Sequence, residues 1–113
     1  MRRRMMKSKI HRATVTGAEL DYAGSISLDT ELMKRADIAE FEQVAVLDVD
    51  NGNRFETYAI AGEAGQVQLN GAAARLVEVG HKVIVITYAD YDDAELSSFE
   101  PRVVKVDGEN RAL

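Results

Sequence analysis

The chain has 113 residues, of which 46% are hydrophobic and 29% charged, with one proline and no cysteine or tryptophan. This length suits a single domain with one core. It excludes a TIM barrel, which needs about 250 residues, and a two-domain cofactor enzyme. The lack of cysteine excludes a disulfide framework, a cysteine-ligated zinc site and a thiol nucleophile.

The net charge of −5 conceals an uneven distribution of charged residues. Residues 1–12 carry six basic side chains and no acid, whereas residues 13–113 have a net charge of −11. An acidic body argues against general nucleic-acid binding, because cations that neutralise phosphates supply most of that affinity. The basic start lacks the apolar segment of a signal peptide, and no apolar run approaches the ~18 residues of a membrane span. We therefore expect a cytoplasmic protein that binds neither nucleic acid nor membranes.

Alternating and β-branched residues predict a succession of short strands. In chain order, these strands cover residues 10–16, 26–28, 44–49, 54–60, 67–69, 83–88 and 103–106. Residues 18–22 give a weaker strand pattern. Closing such a sheet removes exposed edges, so a small β-barrel is the predicted fold.

Two or three short helices are predicted between the strands. Asp29 is a suitable N-cap for a helix over 30–36, residues 72–77 have helical composition, and 90–98 form a third candidate. Turns are predicted at residues 50–53, which include Asn-Gly, and at 70–71. The polar tail from Asp107 is expected to be frayed.

Familiar catalytic patterns are missing from the chain. The histidines, His11 and His81, are far apart, and no metal-ligand spacing, phosphate loop or nucleophile elbow is present. The pair Gly24-Ser25, set between two predicted strands, is by itself only a turn dipeptide. Composition alone leaves open a non-enzymatic barrel that binds a ligand or a partner.

Several segments of the sequence, taken together, are more informative about the class of protein than any of them alone. They are Lys-Ser-Lys-Ile-His-Arg-Ala-Thr-Val-Thr at 7–16, Leu-Asp-Tyr-Ala-Gly-Ser at 20–25, Asn-Gly-Asn-Arg-Phe-Glu-Thr-Tyr-Ala-Ile at 51–60, Asn-Gly-Ala-Ala-Ala at 70–74, Val-Gly-His-Lys-Val-Ile-Val-Ile at 79–86 and Pro-Arg-Val-Val at 101–104. In content and order, these segments resemble the pyruvoyl-dependent L-aspartate α-decarboxylases. The resemblance spans roughly residues 5–110.

The resemblance implies a double-psi β-barrel that forms a homotetramer with active sites between subunits. It also implies a single-domain proenzyme that cleaves itself between Gly24 and Ser25, giving a β chain (1–24) and an α chain (25–113). Ser25 Oγ would attack the Gly24 carbonyl, and elimination and hydrolysis would convert Ser25 into a pyruvoyl group. A glycine at 24 would admit the attack and tolerate a strained backbone. A maturation factor assists this step in some relatives.

The implied reaction converts L-aspartate into β-alanine and CO2 for pantothenate and coenzyme A synthesis. The pyruvoyl ketone would form a Schiff base with the substrate and accept electrons as pyridoxal phosphate does. Neither pyridoxal phosphate nor a metal is therefore expected. A pyridoxal-phosphate decarboxylase is a weaker alternative, which the chain length disfavours.

The resemblance implies roles for individual residues. Tyr58 would protonate the substrate carbon after CO2 leaves, and Thr57 would polarise the Gly24 carbonyl. Arg54 and Lys9 would bind the two substrate carboxylates. We assign Arg54 mainly to the retained carboxylate, since pairing with the departing one would stabilise the ground state.

Other residues of the resemblance would line or support the site. The lining loop consists of Asn70, Gly71, Ala72, Ala73 and Ala74. His11 is a possible supporting residue, and Tyr22 would position the cleavage bond. Without the resemblance these residues have simpler interpretations, such as a solvated Arg54, a basic arm containing Lys9, and a Tyr58 that faces the barrel.

Overall fold

The computed structural model describes residues 1–113 and is mainly β, as predicted. The eight strands are β1 (Arg2–Thr14), β2 (Gly17–Glu19), β3 (Ser25–Asp29), β4 (Gln43–Asp48), β5 (Arg54–Gly62), β6 (Val67–Asn70), β7 (Lys82–Asp92) and β8 (Arg102–Lys105). The helices are α1 (Thr30–Arg35), a 3-10 helix (Gly71–Leu76) and α2 (Asp93–Leu96). None of these helices has the length and apolar character needed to span a membrane.

The strands form one sheet in the order β2-β6-β3-β5-β4-β7-β1-β8. The pairs β1–β8, β2–β6 and β3–β5 are parallel, and the other neighbours are antiparallel. After β1, the Val15 N–H donates to His81 O at 2.9 Å and the Thr16 N–H to Val67 O at 2.8 Å. These two bonds tie the end of β1 to both halves of the sheet.

The core lies on the inner face of the sheet, where alternate strand residues are buried. Its fully buried aliphatic side chains include Ile10, Ile26, Leu28, Val46, Val67, Leu69, Val83 and Val85. Each such side chain stabilises the fold by about 1.5–3 kcal/mol relative to exposure. In β4, β5 and β7 the alternation therefore shows which residues face outward, whereas all five residues of β3 are buried.

The N-terminal strand begins at Arg2, eight residues before the predicted start at Ile10. Its first residues pair with the acidic end of β7, which the sequence predicted as helix; that prediction is wrong for residues 90–92. Arg2 lies 3.7 Å from Asp92, and Arg3 Nε lies 3.1 Å from Asp93 Oδ1. Exposed ion pairs of this kind add little free energy. The backbone hydrogen bonds to β7 therefore stabilise the longer strand, and the opposite charges favour this segment of β7 as its partner.

The C-terminal tail is ordered, so the prediction that it is frayed is wrong. Asn110 is 1% exposed, and its Nδ2 donates to Thr14 O at 2.8 Å and to Gly65 O at 3.0 Å. Its Oδ1 accepts from the Thr14 N–H at 2.7 Å. Because both the NH2 group and the oxygen of the Asn110 side chain form hydrogen bonds, they hold the tail against β1 and the loop before β6.

The predicted cap and turn at the ends of two elements are confirmed. Asp29 Oδ1 accepts hydrogen bonds from the Glu31 and Leu32 N–H groups at 2.7 and 3.2 Å, which caps α1. At the 50–53 turn, the Gly52 N–H donates to Asp48 O at 2.9 Å. The Asp48 carboxylate also accepts from the Asp50 and Asn51 N–H groups at 2.8 and 3.2 Å, and carboxylates that accept backbone N–H bonds are typical of both positions.

His81, to which the sequence assigned no role, is bound to a buried carboxylate. Its Nδ1 lies 2.7 Å from Asp48 Oδ2, and Asp48 has no exposed side-chain area. This hydrogen bond raises the pKa of His81 despite partial burial, and the charges of Asp48, Asp50 and Glu78 add to it. The protonated imidazole therefore stabilises the folded chain.

We expect this stabilisation to be complete below the ordinary histidine pKa of about 6.5. It should be lost as the pH rises through the higher pKa of the folded chain. Urea unfolding of an uncut Ser25→Ala chain between about pH 6 and 9 would measure it. His81→Gln should flatten the decline in the free energy of unfolding, and identical pH profiles would contradict the assignment.

Candidate active site

Ser25 is the first residue of β3 and directly follows a bend at Gly24. Its side chain is buried, with 1% of the residue exposed. Ser25 Oγ accepts a hydrogen bond from Asn70 Nδ2 at 2.9 Å and donates to Ala23 O at 3.3 Å. The hydroxyl is therefore held in one orientation beside the Gly24–Ser25 peptide.

The Asn70-Gly71 turn lies against this peptide. Gly71 has φ +68°, and a Cβ there would lie 2.8 Å from Gly24 Cα and 3.2 Å from Tyr22 O. A side chain at 71 would thus be strained and would collide with backbone. The structure brings together Gly24, Ser25, Asn70 and Gly71, which the resemblance placed in one site.

The strained backbone expected at Gly24 is not observed, because its φ is not positive. A Cβ at Gly24 would meet no atom within 4 Å beyond its two chain neighbours. That glycine admits the attack by the neighbouring Ser25 Oγ stays a prediction. The close approach of the two segments requires glycine at 71.

Tyr58 lies beside Ser25 on the neighbouring strand. In the parallel β3–β5 pair, Ile26 is opposite Ala59, and both are fully buried. One residue back along each strand, Ser25 and Tyr58 share the opposite face of the sheet. Tyr58 is 37% exposed and packs on Phe41 with ring centroids 6.2 Å apart.

Thr57 faces the other side of β5, as expected for a regular strand. Burial alternates along β5, with Arg54, Glu56 and Tyr58 exposed and the residues between them more buried. The strand pairs with β4 without a bulge from Arg54 to Tyr58. Thr57 and Tyr58 therefore lie on opposite faces of the sheet.

Arg54 and Lys9 share the outer face of the sheet with Tyr58. Residues paired across neighbouring strands lie on the same face of a sheet. A row of such pairs leads from Lys9 on β1 to Glu56 on β5, through Ile86 and Ala45. Lys9 therefore lies on the same face as Glu56. Neither Arg54 nor Lys9 forms an ion pair. Both cations are therefore available to an anion.

Within one chain neither cation is adjacent to Ser25 along the sheet. Lys9 on β1 is four strands from β3, about 19 Å measured along the curved sheet at a strand spacing of ~4.8 Å. Arg54 is four residues from Tyr58, about 13 Å along the strand. The open cavity of about 760 Å³ beside Arg54 is lined by Arg4, Gln43, Glu56 and Tyr88 among others, and Ser25 does not line it.

His11 lies on a bulge of β1. The register with β7 shifts between Ile10 and Ala13, and Arg12 has φ +62°. His11 Nδ1 is buried without a hydrogen-bond partner. Burial, helped by the charges of Lys9, Arg12 and Lys105, lowers the pKa of His11. The ring is therefore neutral at neutral pH and is not a third cation.

The remaining predicted residues surround the bend. Tyr22 is 53% exposed, and its backbone oxygen lies against Gly71. Ala72, Ala73 and Ala74 lie in the 3-10 helix, which confirms helical structure after the Asn70-Gly71 turn. Asn70 does not cap this helix with its side chain, because its amide is directed to Ser25.

Sequence reasoning missed Gln68, whose Nε2 donates to Asn70 Oδ1 at 2.8 Å. The available signal was the period-two spacing of amides in Gln66-Val-Gln-Leu-Asn70. It also missed the cluster of Asp48, Asp50 and His81. There the Asp48 and Asp50 carboxylates accept hydrogen bonds from backbone N–H groups, so the cluster is part of the turn's own hydrogen bonding.

Comparison with known proteins finds one family and close relatives along the whole chain. The family model described as "Aspartate decarboxylase" matches residues 1–113. A protein named "Aspartate 1-decarboxylase" from Syntrophobacter fumaroxidans is 56% identical over 115 residues, covering 100% of this chain and 93% of its own. Proteins of the same name from Acetivibrio thermocellus and Campylobacter jejuni are 57% and 58% identical, covering 96% of this chain and 88% and 86% of their own.

The matches cover the whole chain, including the Gly24-Ser25 bend and the Asn70-Gly71 turn. The matched family and the names of its members show a small enzyme of the carboxy-lyase class. The chain belongs to the aspartate decarboxylase family.

Proposed function

We propose that the chain converts L-aspartate into β-alanine and CO2, and that it is made as a precursor that cuts itself between Gly24 and Ser25. The cut gives a β chain of net charge +4 and an α chain of net charge −9. The observation that carries this proposal is the buried Ser25 hydroxyl, oriented by Asn70 beside the peptide it would attack. β-Alanine made in this way serves pantothenate synthesis, and the cytoplasm stays the predicted location.

Serine fits the maturation chemistry because Oγ is first the attacking and then the leaving atom. Oγ loses its proton and attacks the Gly24 carbonyl carbon. The bond from that carbon to the Ser25 nitrogen then breaks and the nitrogen takes up a proton, which leaves an ester and a free Ser25 amine. Loss of the Ser25 Cα proton then breaks the Cβ–Oγ bond and releases the Gly24 carboxylate. Hydrolysis of the resulting dehydroalanine releases ammonia and leaves a ketone. That ketone supplies the electron sink for decarboxylation.

The chain's own side chains divide the remaining tasks. Tyr58, on the face of Ser25, donates a proton to the substrate carbon after CO2 departs. Thr57, on the opposite face, polarises the Gly24 carbonyl during the cut. The turn of Asn70 and Gly71 and the small Ala72–Ala74 segment leave room for the substrate.

Lys9 and Arg54 act, in this proposal, from another subunit. Within one chain, Lys9 on β1 and Ser25 on β3 are separated by β5, β4 and β7 along the sheet, which supports a site completed by a second chain. Exposed apolar residues around the site support coverage by a partner subunit, namely Leu20 at 46%, Tyr22 at 53% and Phe41 at 71%. We infer a homotetramer of double-psi barrels, consistent with the three parallel strand pairs and the backbone bonds that follow β1.

Denaturing mass spectrometry of the purified protein tests the cut. Two chains that divide between Gly24 and Ser25 are expected, together with release of β-alanine from L-aspartate. An intact 12.5 kDa chain after prolonged warming would contradict the enzyme proposal. That result would favour a ligand-binding or interaction barrel. Synthesis from purified components tests whether a maturation factor is needed.

Mixed assemblies test whether the site is shared between subunits. Lys9→Ala and Ser25→Ala chains are each expected to be inactive, because one lacks a substrate cation and the other cannot mature. Co-expressed in equal amounts, they should recover about a quarter of parental activity, since random pairing restores that share of shared sites. Background activity in verified mixed assemblies would place Lys9 and Ser25 in one chain's site.

Arg54→Lys tests the binding of the retained carboxylate. Lysine keeps the charge but loses the two-pronged geometry of the guanidinium. We expect KM for L-aspartate to rise roughly tenfold while kcat changes little, because this contact is equal in the ground and transition states. An unchanged KM would contradict the assignment.

A further inference from the structure

Three amide side chains, at the position before β6 and at two positions within it, form a line on the face opposite the core residues of that strand. Gln66 Nε2 donates to Gln68 Oε1 at 3.3 Å, and Gln68 Nε2 donates to Asn70 Oδ1 at 2.8 Å. Val67 and Leu69, between them, are fully buried in the core. We call Gln66, Gln68 and Asn70 the amide ladder.

The ladder ends at the serine of the proposed cut. Asn70 Nδ2 donates to Ser25 Oγ at 2.9 Å and to Ser27 Oγ at 3.0 Å. Asn70 is fully buried, so its N–H groups and its oxygen all need partners. Gln68 supplies the partner of the oxygen.

The direction of the ladder is set by a group that cannot be reversed. The backbone N–H of Glu63 donates to Gln66 Oε1 at 2.8 Å, and a backbone N–H can only donate. Gln66 must therefore direct its NH2 to Gln68. Gln68 then directs its own NH2 to Asn70, which leaves the Asn70 NH2 facing Ser25.

Two glycines make room for the ladder. A Cβ at Gly17 on β2 would lie 2.7 Å from Gln68 Oε1, and a Cβ at Gly62 would lie 2.6 Å from Gln66 Oε1. Both glutamines are thus packed closely against backbone. Close packing limits the rotation by which an amide could exchange its two ends.

We propose that Gln68 is a positioning residue for self-cleavage, which holds the Asn70 amide so that it donates to Ser25 Oγ. The inference rests on the proposed function. It applies to elimination, in which the Cβ–Oγ electron pair moves to Oγ and the Cα proton leaves to solvent. Oγ becomes part of the Gly24 carboxylate, and a donor aimed at it stabilises the developing negative charge.

A reversed Asn70 amide would present its oxygen to Ser25 Oγ instead. Repulsion between the two oxygens would slow elimination, and the ester would persist. Water would then hydrolyse that ester to the Gly24 carboxylate and an α chain that begins with unmodified serine. Gln68 therefore controls the ratio of ketone-terminated to serine-terminated α chains.

Two substitutions test this role in the full-length chain. Gln68→Met leaves Asn70 Oδ1 without its donor, and Gln68→Glu replaces that donor with an acceptor. We expect elimination to slow roughly tenfold in Gln68→Met and roughly a hundredfold in Gln68→Glu. Ala18→Glu, which adds the same charge at an exposed position of β2, is the matched control and should mature like the parent.

Mass spectrometry of freshly made precursor over time would measure ester, serine-terminated and ketone-terminated species. Hydroxylamine, which cleaves the ester at Gly24, would reveal its accumulation. More ester and more serine-terminated chain in both variants supports the role of Gln68. If Gln68→Glu does not fold, Gln68→Met decides.

Two results would overturn the inference while the parent matures normally. One is parental rates and end groups in the variants; the other is uniformly slow cleavage with normal end groups, which indicates a purely structural role. A parent that stays uncut overturns the proposed function itself, and the role of Gln68 with it.

Discussion

Ser25→Ala is expected to yield a single uncut chain of 12.5 kDa that releases no β-alanine from L-aspartate. Alanine has neither the attacking atom nor the leaving atom that the cut requires. Asn70, which donates to Ser25 Oγ at 2.9 Å, would lose that partner in a fully buried place. Denaturing mass spectrometry and a β-alanine assay on the same sample would measure both effects.

The control for this variant is Ser27→Ala. Ser27 Oγ is the other acceptor of the Asn70 amide, at 3.0 Å, and lies two residues along the same strand. Its removal disturbs the same amide but leaves the nucleophile, so we expect this chain still to cut after Gly24. Cleavage of Ser25→Ala, or none in a folded Ser27→Ala, would show that the wrong hydroxyl has been assigned.

Tyr58→Phe should separate maturation from catalysis. Tyr58 lies on the same face of the sheet as Ser25. In the proposed function its hydroxyl protonates a substrate bound at Ser25. Loss of a general acid lowers kcat by about 10²–10⁴, whereas the proposed cut relies on Ser25, Asn70 and Thr57 and not on Tyr58. We therefore expect two chains of normal mass and a strongly reduced kcat, measured on fully matured protein.

Tyr91→Phe is the matched control for that experiment. Tyr91 packs edge to face against Phe99, with ring centroids 4.9 Å apart, near the far end of β7. It changes the same chemical group away from the site and should keep parental kcat. A Tyr58→Phe enzyme that retained parental kcat would exclude Tyr58 as the proton donor.

The sequence was least informative where strands pair over long distances. Local alternation predicted β4, β5 and the inner part of β7 well. It failed for Arg2–Lys9 and for residues 90–92, because a basic run and an acidic run form a strand only once each meets the other. The ordered tail depends likewise on Asn110 reaching Thr14, which no local pattern reveals.

The site was predictable as a set of residues but not as an arrangement. The resemblance named Gly24, Ser25, Asn70 and Gly71, and the structure places them in contact. The resemblance could not show that the close contact with Gly24 leaves no room for a side chain at Gly71. Gln68 could not be predicted, because its proposed role depends on the direction of a hydrogen bond between two side chains, which the sequence does not encode in any local pattern.

The position of β1 inside the sheet has a consequence for folding. β1 lies between β7 and β8 and places Ile10 and Ala13 in the core, so the proposed β chain is an integral part of the sheet and its core. Before the cut, the peptide link keeps this strand at an effective concentration in the ~mM range. After it, refolding becomes an encounter of two chains, and recovery from denaturation should depend on protein concentration. The mature enzyme would then be kinetically stable, with a lifetime set by its slow rate of unfolding and not by its ability to refold.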